Sequence, residues 1–178
     1  MYSFDWTTDR VTLWTPHVVH LVDRADVNAL EIGAFEGRST VWMLENVLTH
    51  PTSRVVCVDP FLARSVPDLP NEYLTAFVEN TKSYQDKVRI IQAKSSQVSA
   101  ETLLRFAPQG YDLIYIDASH MPAETVLEAK LAWSVARQGA VIVFDDYNGG
   151  LKEAVQAWIP KAPEVLNNDD VQLILKKV

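Results

Sequence analysis

Acidic side chains follow two of the apolar runs in the second half of the chain. Asp117 comes directly after Leu113–Ile116, and Asp145 and Asp146 come directly after Val141–Phe144. If these runs are neighbouring parallel strands, their carboxyl ends meet at one sheet edge and the three carboxylates lie close together. Close carboxylates repel unless a cation joins them, and an all-oxygen site favours Mg²⁺, with Ca²⁺ and Mn²⁺ as alternatives. The pattern therefore predicts a metal site formed by Asp117, Asp145 and Asp146.

A histidine follows the first of these acids closely, at His120. Histidine titrates near neutral pH, so His120 could accept the proton of a substrate hydroxyl. Simpler explanations remain open at this point. Asp145 or Asp146 could cap the helix after Asn148, Asp117 could only touch a cofactor, and His120 could be a solvent-exposed residue ahead of the next helix.

A glycine-containing turn follows the first apolar run, Ala29–Ile32. Gly33 permits a tight turn, and Gly37 permits close packing or the close approach of a ligand where the next helix begins. A dinucleotide fingerprint needs glycines where this chain has Phe35 and Arg38, so a pyrophosphate would meet side chains. The turn suits a ligand without phosphates, although it could also serve only to pack strand against helix.

The second apolar run, Val55–Val58, ends at Asp59 and contains the only cysteine, Cys57. An acid in this position can accept both hydroxyls of an adenosine ribose, or it can cap the turn at Pro60. A single cysteine excludes an intrachain disulfide and a cysteine-based zinc site, and the apolar context of Cys57 predicts a buried thiol.

The elements that must position these residues alternate along the chain. Strand composition occurs at Ala29–Ile32, Val55–Val58, Val88–Ile91, Leu113–Ile116, Val141–Phe144 and Val171–Leu175. Helical patterns occur at Ser39–Leu48 with Ser39 or Thr40 as N-cap, Glu72–Ser83, a helix from Pro122 to a C′ glycine at Gly139, and Lys152–Ile159. Residues 61–70 are predicted to form a loop. Nearly continuous apolar strands separated by helices predict a parallel sheet covered on both faces.

The end of the chain carries a different signal. The turn-like Asn167–Asp170 lies between Glu164–Leu166 and Val171–Leu175, which predicts an antiparallel hairpin. We therefore expect a single Rossmann-like α/β domain with a doubly wound, mostly parallel seven-stranded sheet and a C-terminal antiparallel hairpin. Residues 1–27 are predicted to be a helical segment and residues 28–178 the core.

Composition limits the partners of this 178-residue chain. The 16 basic and 23 acidic residues give a net charge of −7, which repels a phosphate backbone, so nucleic acid is not an expected partner. The chain has neither a signal-peptide pattern at its start nor an apolar run long enough to span a bilayer. These features predict a cytoplasmic protein without a membrane partner, and homo-oligomerisation is left open.

Four segments of the chain resemble class I S-adenosylmethionine-dependent methyltransferases, in particular the catechol O-methyltransferase-like and macrolide-sugar O-methyltransferase-like enzymes. These segments are Glu31–Ser39, Val58–Asp59, Ala93–Gln97, and Asp117–His120 together with Phe144–Tyr147. The resemblance implies the cofactor S-adenosylmethionine and methyl transfer to a hydroxyl of a small molecule. It implies cofactor contacts at Glu31, Gly33, Ala34, Phe35, Gly37, Ser39, Asp59, Ser95, Ser96 and Asp117.

Within that set, the resemblance gives each part of the cofactor its own residues. Gly33 and Phe35 line the methionine portion, Ser39 meets its carboxylate and Asp59 holds the ribose, while Ser95 and Ser96 border the adenine. The resemblance also implies Mg²⁺ at Asp117, Asp145 and Asp146, and His120 stands where catechol-type enzymes carry a basic lysine.

The chain departs from these relatives in places. Many of them have glycine where Ala93 stands and an acid where Lys94 or Ser119 stands. The N-terminal region is also shorter than that of catechol-type enzymes, so their substrate contacts cannot be transferred.

The predicted reaction is a direct displacement at the sulfonium methyl. The metal acidifies a substrate hydroxyl, His120 accepts its proton, and Asp117 acts with them. Two other functions remain open: an NAD-dependent dehydrogenase, disfavoured by Phe35 and Arg38, and a non-catalytic nucleoside-binding module.

Overall fold

Seven strands form one sheet in the computed structural model, which describes residues 2–3, 7–62, 72–159 and 163–178. They are β1 (Asn28–Ile32), β2 (Arg54–Asp59), β3 (Val88–Gln92), β4 (Tyr111–Ile116), β5 (Ala136–Phe144), β6 (Glu164–Asn168) and β7 (Leu173–Lys176). The spatial order is β3-β2-β1-β4-β5-β7-β6, and β7 runs antiparallel to both neighbours. The predicted Rossmann-like sheet with its C-terminal hairpin is confirmed.

Six helices accompany these strands in the described part of the chain. They are α1 (Thr8–Val18), α2 (Arg38–Asn46), α3 (Glu72–Thr81), α4 (Ala100–Leu104), α5 (Pro122–Val135) and α6 (Gly149–Trp158). Short 3-10 turns occupy Val19–Leu21, Lys82–Tyr84 and Ser95–Gln97. The short helix α4 was not predicted, and residues 63–70 of the predicted loop lie outside the described residues. None of the described helices is long and apolar enough to cross a membrane.

Both faces of the sheet are covered by apolar side chains. Along β4, Leu113 and Tyr115 belong to one buried cluster, whereas Ile114 and Ile116 belong to another. Successive side chains of a strand point to opposite faces, so the two clusters are two cores on either side of the sheet. This arrangement explains why the strands are nearly continuous apolar runs.

The predicted N-cap of α2 is wrong. Gly37 occupies that position with a φ of 82°, and the helix begins at Arg38. The Ser39 and Thr40 hydroxyls instead donate to the buried carboxylate of Glu31 on β1. A buried carboxylate without hydrogen-bond donors is costly, and these two hydroxyls supply donors to it.

The predicted role of Gly139 as a helix C′ residue is also wrong. Helix α5 ends at Val135, and Gly139 lies within β5 with a φ of 83°. The register between β4 and β5 shifts between Tyr111 and Leu113, so β5 carries extra residues at this point. The glycine provides the left-handed backbone of this irregularity.

The turn after β1 depends on Gly33, because this residue lies against the end of β4. Its φ is 91°, and a Cβ placed on it would lie 2.0 Å from the backbone oxygen of Asp117. Neither the conformation nor the space permits a side chain. The glycine turn and the strand-end acid are therefore in direct backbone contact.

Replacing Gly33 with alanine should destabilise the fold by about 3 kcal/mol, because overpacking and left-handed strain act together. Urea unfolding of the variant and the parent measures this difference. Gly150→Ala is the control, because the nearest atom to its added Cβ is 3.5 Å away and its φ is not left-handed. Equal destabilisation by both substitutions would contradict the backbone contact.

Candidate functional site

The carboxyl ends of the parallel strands gather where the strand order reverses, between β1 and β4. An open cleft of about 360 Å³ lies at this edge. It is lined by residues after β4 and β5 and at the beginnings of α5 and α6: His120, Pro122, Asp146, Asn148, Gly150 and Leu151. Two predicted functional residues, His120 and Asp146, therefore form part of the wall of one cleft.

The structure brings Asp117, His120 and Asp146 together. Each offers one ligand atom, and these atoms lie within 4.8 Å of one another. Nδ1 of His120 is 3.4 Å from a carboxylate oxygen of Asp146. A nitrogen and two carboxylate oxygens at this spacing can hold a divalent cation.

The carboxyl of Asp117 has the least support of the three strand-end acids. Within the described residues no hydrogen bond reaches its side chain. Burial raises the pKa of this carboxyl well above its usual range, the nearby Asp145, Asp146 and Glu31 raise it further, and Arg10 opposes the shift. Because Arg10 compensates the ionised form only in part, a cation would stabilise it.

Asp145 lies beside this cluster, but its oxygens are already bound. The Tyr115 hydroxyl donates to it at 2.6 Å, the Gln172 side-chain amide at 3.0 Å, and the Arg10 guanidinium at 3.3 Å. The geometry thus groups His120, rather than Asp145, with the other two acids. Asp145 as a metal ligand remains a prediction.

Arg10 is a site residue that sequence reasoning missed. It lies on α1, and its guanidinium also contacts Asp146 at 3.0 Å. The three-acid pattern indicated that some cation must be present, but nothing in the sequence pointed to an arginine so distant in the chain. Arg10 supplies part of the positive charge that the acids require.

Capping of α6 does not explain the two acids after β5. Asn148 is the N-cap of that helix, and no side chain caps it. Asp146 instead has a left-handed φ of 50°, a conformation that costs free energy and often occurs at functional sites.

Asp59 holds the glycine turn in shape. One of its carboxylate oxygens accepts hydrogen bonds from the backbone amides of Ala34 at 2.8 Å and Phe35 at 2.9 Å. The other accepts from the Phe61 amide at 2.5 Å, which fits the capping role that the sequence left open. A carboxylate accepts about four hydrogen bonds, so Asp59 retains capacity for a ribose hydroxyl.

Two other turn residues pack against α3. The rings of Phe35 and Tyr73 lie 4.5 Å apart, and a Cβ on Gly37 would lie 2.9 Å from the Phe77 ring. Gly37 thus permits close packing, one of its two predicted roles.

Glu31 is completely buried beneath this turn. Its carboxylate accepts from Ser39 and Thr40, and the buried thiol of Cys57 lies 3.5 Å away. Burial raises the Glu31 pKa to about 7, although the hydrogen bonds from Ser39, Thr40 and Cys57 lower it. In this structure Glu31 ties β1 to α2; whether it also contacts a cofactor remains a prediction, as it does for Ser39.

The Glu31→Gln variant should lose part of the pH dependence of stability. Unfolded glutamate ionises near 4.5, whereas folded Glu31 ionises near 7. This contribution is therefore fully present below 4.5 and is lost as the pH rises to about 7, by an amount on the order of 3 kcal/mol.

Urea unfolding of the parent and of Glu31→Gln at about pH 5 and about pH 8 measures this effect. Between these two pH values the parent should lose more stability than the variant. Glu101→Gln is the control, because that side chain is 81% exposed. A stability difference that does not change with pH would show that Glu31 is not the titrating group.

The turn after β3 contains a contact that the sequence did not indicate. The Ser95 hydroxyl donates to a carboxylate oxygen of Glu128 at 2.6 Å, and Glu128 lies on α5 with 2% of its surface exposed. Ser96, the other residue predicted to border an adenine, is exposed.

Comparison with known proteins identifies the family. Residues 30–147 match the model described as a methyltransferase domain, so the chain belongs to that family. An uncharacterised protein of Acanthamoeba polyphaga mimivirus is 23% identical over 151 residues, which cover 85% of this chain and 62% of that protein. The chain therefore spans less than two thirds of the length of this relative.

Solved structures share the fold. An O-methyltransferase from Bacillus cereus, solved in complex with SAH, has a TM-score of 0.69 at 16% identity, covering 99% of this chain and 84% of its own. A putative rRNA methylase from Clostridium thermocellum has a TM-score of 0.67 at 12% identity, covering 94% of this chain and 97% of its own. The fold is that of class I methyltransferases.

Proposed function

We propose that the protein transfers a methyl group from S-adenosylmethionine to a hydroxyl of a small molecule, assisted by a divalent cation. The observation that carries this proposal is the grouping of Asp117 with His120 and Asp146, two residues that line a cleft at the sheet edge that carries the glycine turn. Family membership supplies the reaction class. The B. cereus neighbour, solved with SAH, supports the choice of cofactor.

The glycine turn fits the cofactor. The N-terminus of α2 follows this turn, and backbone amides at a helix N-terminus can bind an anion such as the methionine carboxylate. Asp59 has remaining capacity for the ribose hydroxyls, and Phe35 stands where a pyrophosphate would need clearance. S-adenosylmethionine supplies an electrophilic methyl group on a sulfonium.

The acids fit a divalent cation. Asp117 and Asp146 supply carboxylate oxygens, and within the described residues no hydrogen-bond donor reaches the side chain of Asp117. Arg10 already reduces the negative charge around Asp146, so one divalent ion would approximately neutralise the site. Such a cation would favour ionisation of a bound hydroxyl.

His120 receives the proton of the acceptor hydroxyl in this proposal. Its side chain is about half exposed at the cleft, and Nδ1 faces Asp146, which can orient the ring. The main contribution of the protein is alignment of the acceptor oxygen with the methyl group.

RNA methylation is the nearest alternative, because the C. thermocellum neighbour is described as a putative rRNA methylase. The net charge of −7 and the acids around the cleft would repel a phosphate backbone. A small acceptor is therefore favoured over RNA. Membership in a methyltransferase family also disfavours a dehydrogenase, and a non-catalytic nucleoside-binding module would bind the cofactor without turnover.

S-adenosylhomocysteine should raise the melting temperature, whereas NAD should not, since binding to the folded state alone stabilises it. Asp59→Ala should weaken S-adenosylhomocysteine binding by roughly 1.5–3 kcal/mol, because a charged acceptor is lost and the turn amides lose their partner. Calorimetric titration measures the affinity, and Asp86→Ala, an exposed acid, is the control. Stabilisation by NAD alone would overturn the proposed cofactor.

Mn²⁺ or Mg²⁺ should stabilise the parent, and Asp146→Ala should abolish that response together with most turnover. Asp170→Ala should keep both, because this acid is 82% exposed and pairs with Lys152. Thermal melts with and without EDTA measure the cation response. Full activity after EDTA treatment would contradict the role of the cation.

The role of His120 requires a separate variant. His120→Ala should lower kcat by about 10²–10⁴-fold and keep the cation response if the residue is the proton acceptor. Loss of the cation response would make His120 a metal ligand instead.

A further inference from the structure

Glu128 is a buried carboxylate with an incomplete set of partners. One of its oxygens accepts from Ser95, and its other oxygen is buried without a hydrogen-bond partner within the described residues. The nearby Ser119 backbone amide also stabilises the ionised form. The Ser95 hydroxyl is thus the one side-chain donor that this acid has in the described part of the chain.

This contact fixes the direction of the Ser95 hydroxyl. A serine carries one hydroxyl proton, and here that proton points to Glu128. Rotating it toward a ligand would leave a buried carboxylate without its side-chain donor, which is costly. Ser95 is partly exposed, so it presents lone pairs, and no proton, to whatever lies against it.

The sheet order places Ser95 at the nucleoside end of the cofactor; this step depends on the proposed function. The cleft that would hold the methyl acceptor is lined by residues after β4 and β5, so the methyl group must lie on that side of the sheet edge. The rest of the cofactor then extends past β1 toward β2 and β3. Asp59 ends β2, and Ser95 lies in the turn after β3, where the base would lie beyond the ribose.

We propose that Glu128 is a positioning residue that fixes Ser95 as a hydrogen-bond acceptor and thereby selects a 6-aminopurine cofactor over a 6-oxopurine one. The exocyclic amine of adenine donates hydrogen bonds, whereas the oxygen of a 6-oxopurine only accepts them. Ser95 can accept a hydrogen bond from the adenine amine. Against the oxygen of a 6-oxopurine it would place lone pairs next to lone pairs, which is repulsive.

The test compares S-adenosylhomocysteine with S-inosylhomocysteine, its 6-oxo analogue, by calorimetric titration of the full chain. Measurements at about pH 8.5 keep Glu128 ionised, because burial raises its pKa to about 7. The parent should bind the adenosine compound about tenfold more tightly or better, the ratio that one hydrogen bond of about 1.4 kcal/mol provides. In Glu128→Met the ratio should fall to about threefold or less, mainly because the inosine compound binds better to a freed hydroxyl.

The double variant separates positioning from packing. Ser95→Ala should also lose the discrimination, and adding Glu128→Met to it should change nothing further, because Glu128 acts through Ser95. Glu101→Met, which removes an exposed carboxylate, should keep the parental ratio. If Glu128→Met does not fold, Glu128→Gln replaces it, since its amide can donate to Ser95 and release the hydroxyl proton.

The outcomes separate this inference from the proposed function. If Glu128→Met weakens both ligands equally, Glu128 is structural and the inference is wrong. An unchanged ratio in that variant also overturns it. Failure of the parent to bind S-adenosylhomocysteine would overturn the proposed function itself.

Discussion

Five carboxylates meet near the carboxyl edge of one sheet, and the site depends on how each is neutralised. Glu31 is held by two hydroxyls, and Asp59 by backbone amides of the turns around it. Asp145 and Asp146 share a guanidinium. Asp117 has no hydrogen-bond partner for its side chain in the described part of the chain, and burial together with the neighbouring carboxylates raises its pKa. Of the five carboxylates, Asp117 is therefore the one whose negative charge is least compensated, and it lies at the end of β4, beside the reversal of strand order.

The backbone contact between Gly33 and Asp117 makes the cofactor turn and this acid a single unit. Because no Cβ fits between them, their separation is fixed by the main chain instead of by side-chain rotamers. Asp59 adds a second constraint by holding the amides of the same turn. The alignment of methyl donor and acceptor that the proposed reaction needs thus has a rigid support.

The sequence predicted those parts of the structure that local pattern determines. Buried parallel strands are apolar on both faces, so their ends could be located, and with them Asp117 and Asp146. The partners of the site residues could not be predicted, because Arg10 reaches Asp146 from α1 and Glu128 reaches Ser95 from α5, both far away in the chain. The preference of serine for helix N-caps also led to a wrong prediction for Ser39. Its hydroxyl donates to the buried carboxylate of Glu31, which would be costly to leave without donors.

Helix α1 connects the two ends of the site. Arg10 binds the acids after β5, and Thr8 of the same helix accepts a hydrogen bond from Arg38 at 3.1 Å, next to the glycine turn. Ser3, which lies ahead of the helix, donates to Glu36 in that turn at 2.6 Å through both its amide and its hydroxyl. The described residues before the first strand thus contribute charge at the acceptor end and hydrogen bonds at the cofactor end. Because one segment makes both sets of contacts, moving α1 would change the electrostatics of Asp146 and the setting of the cofactor turn together.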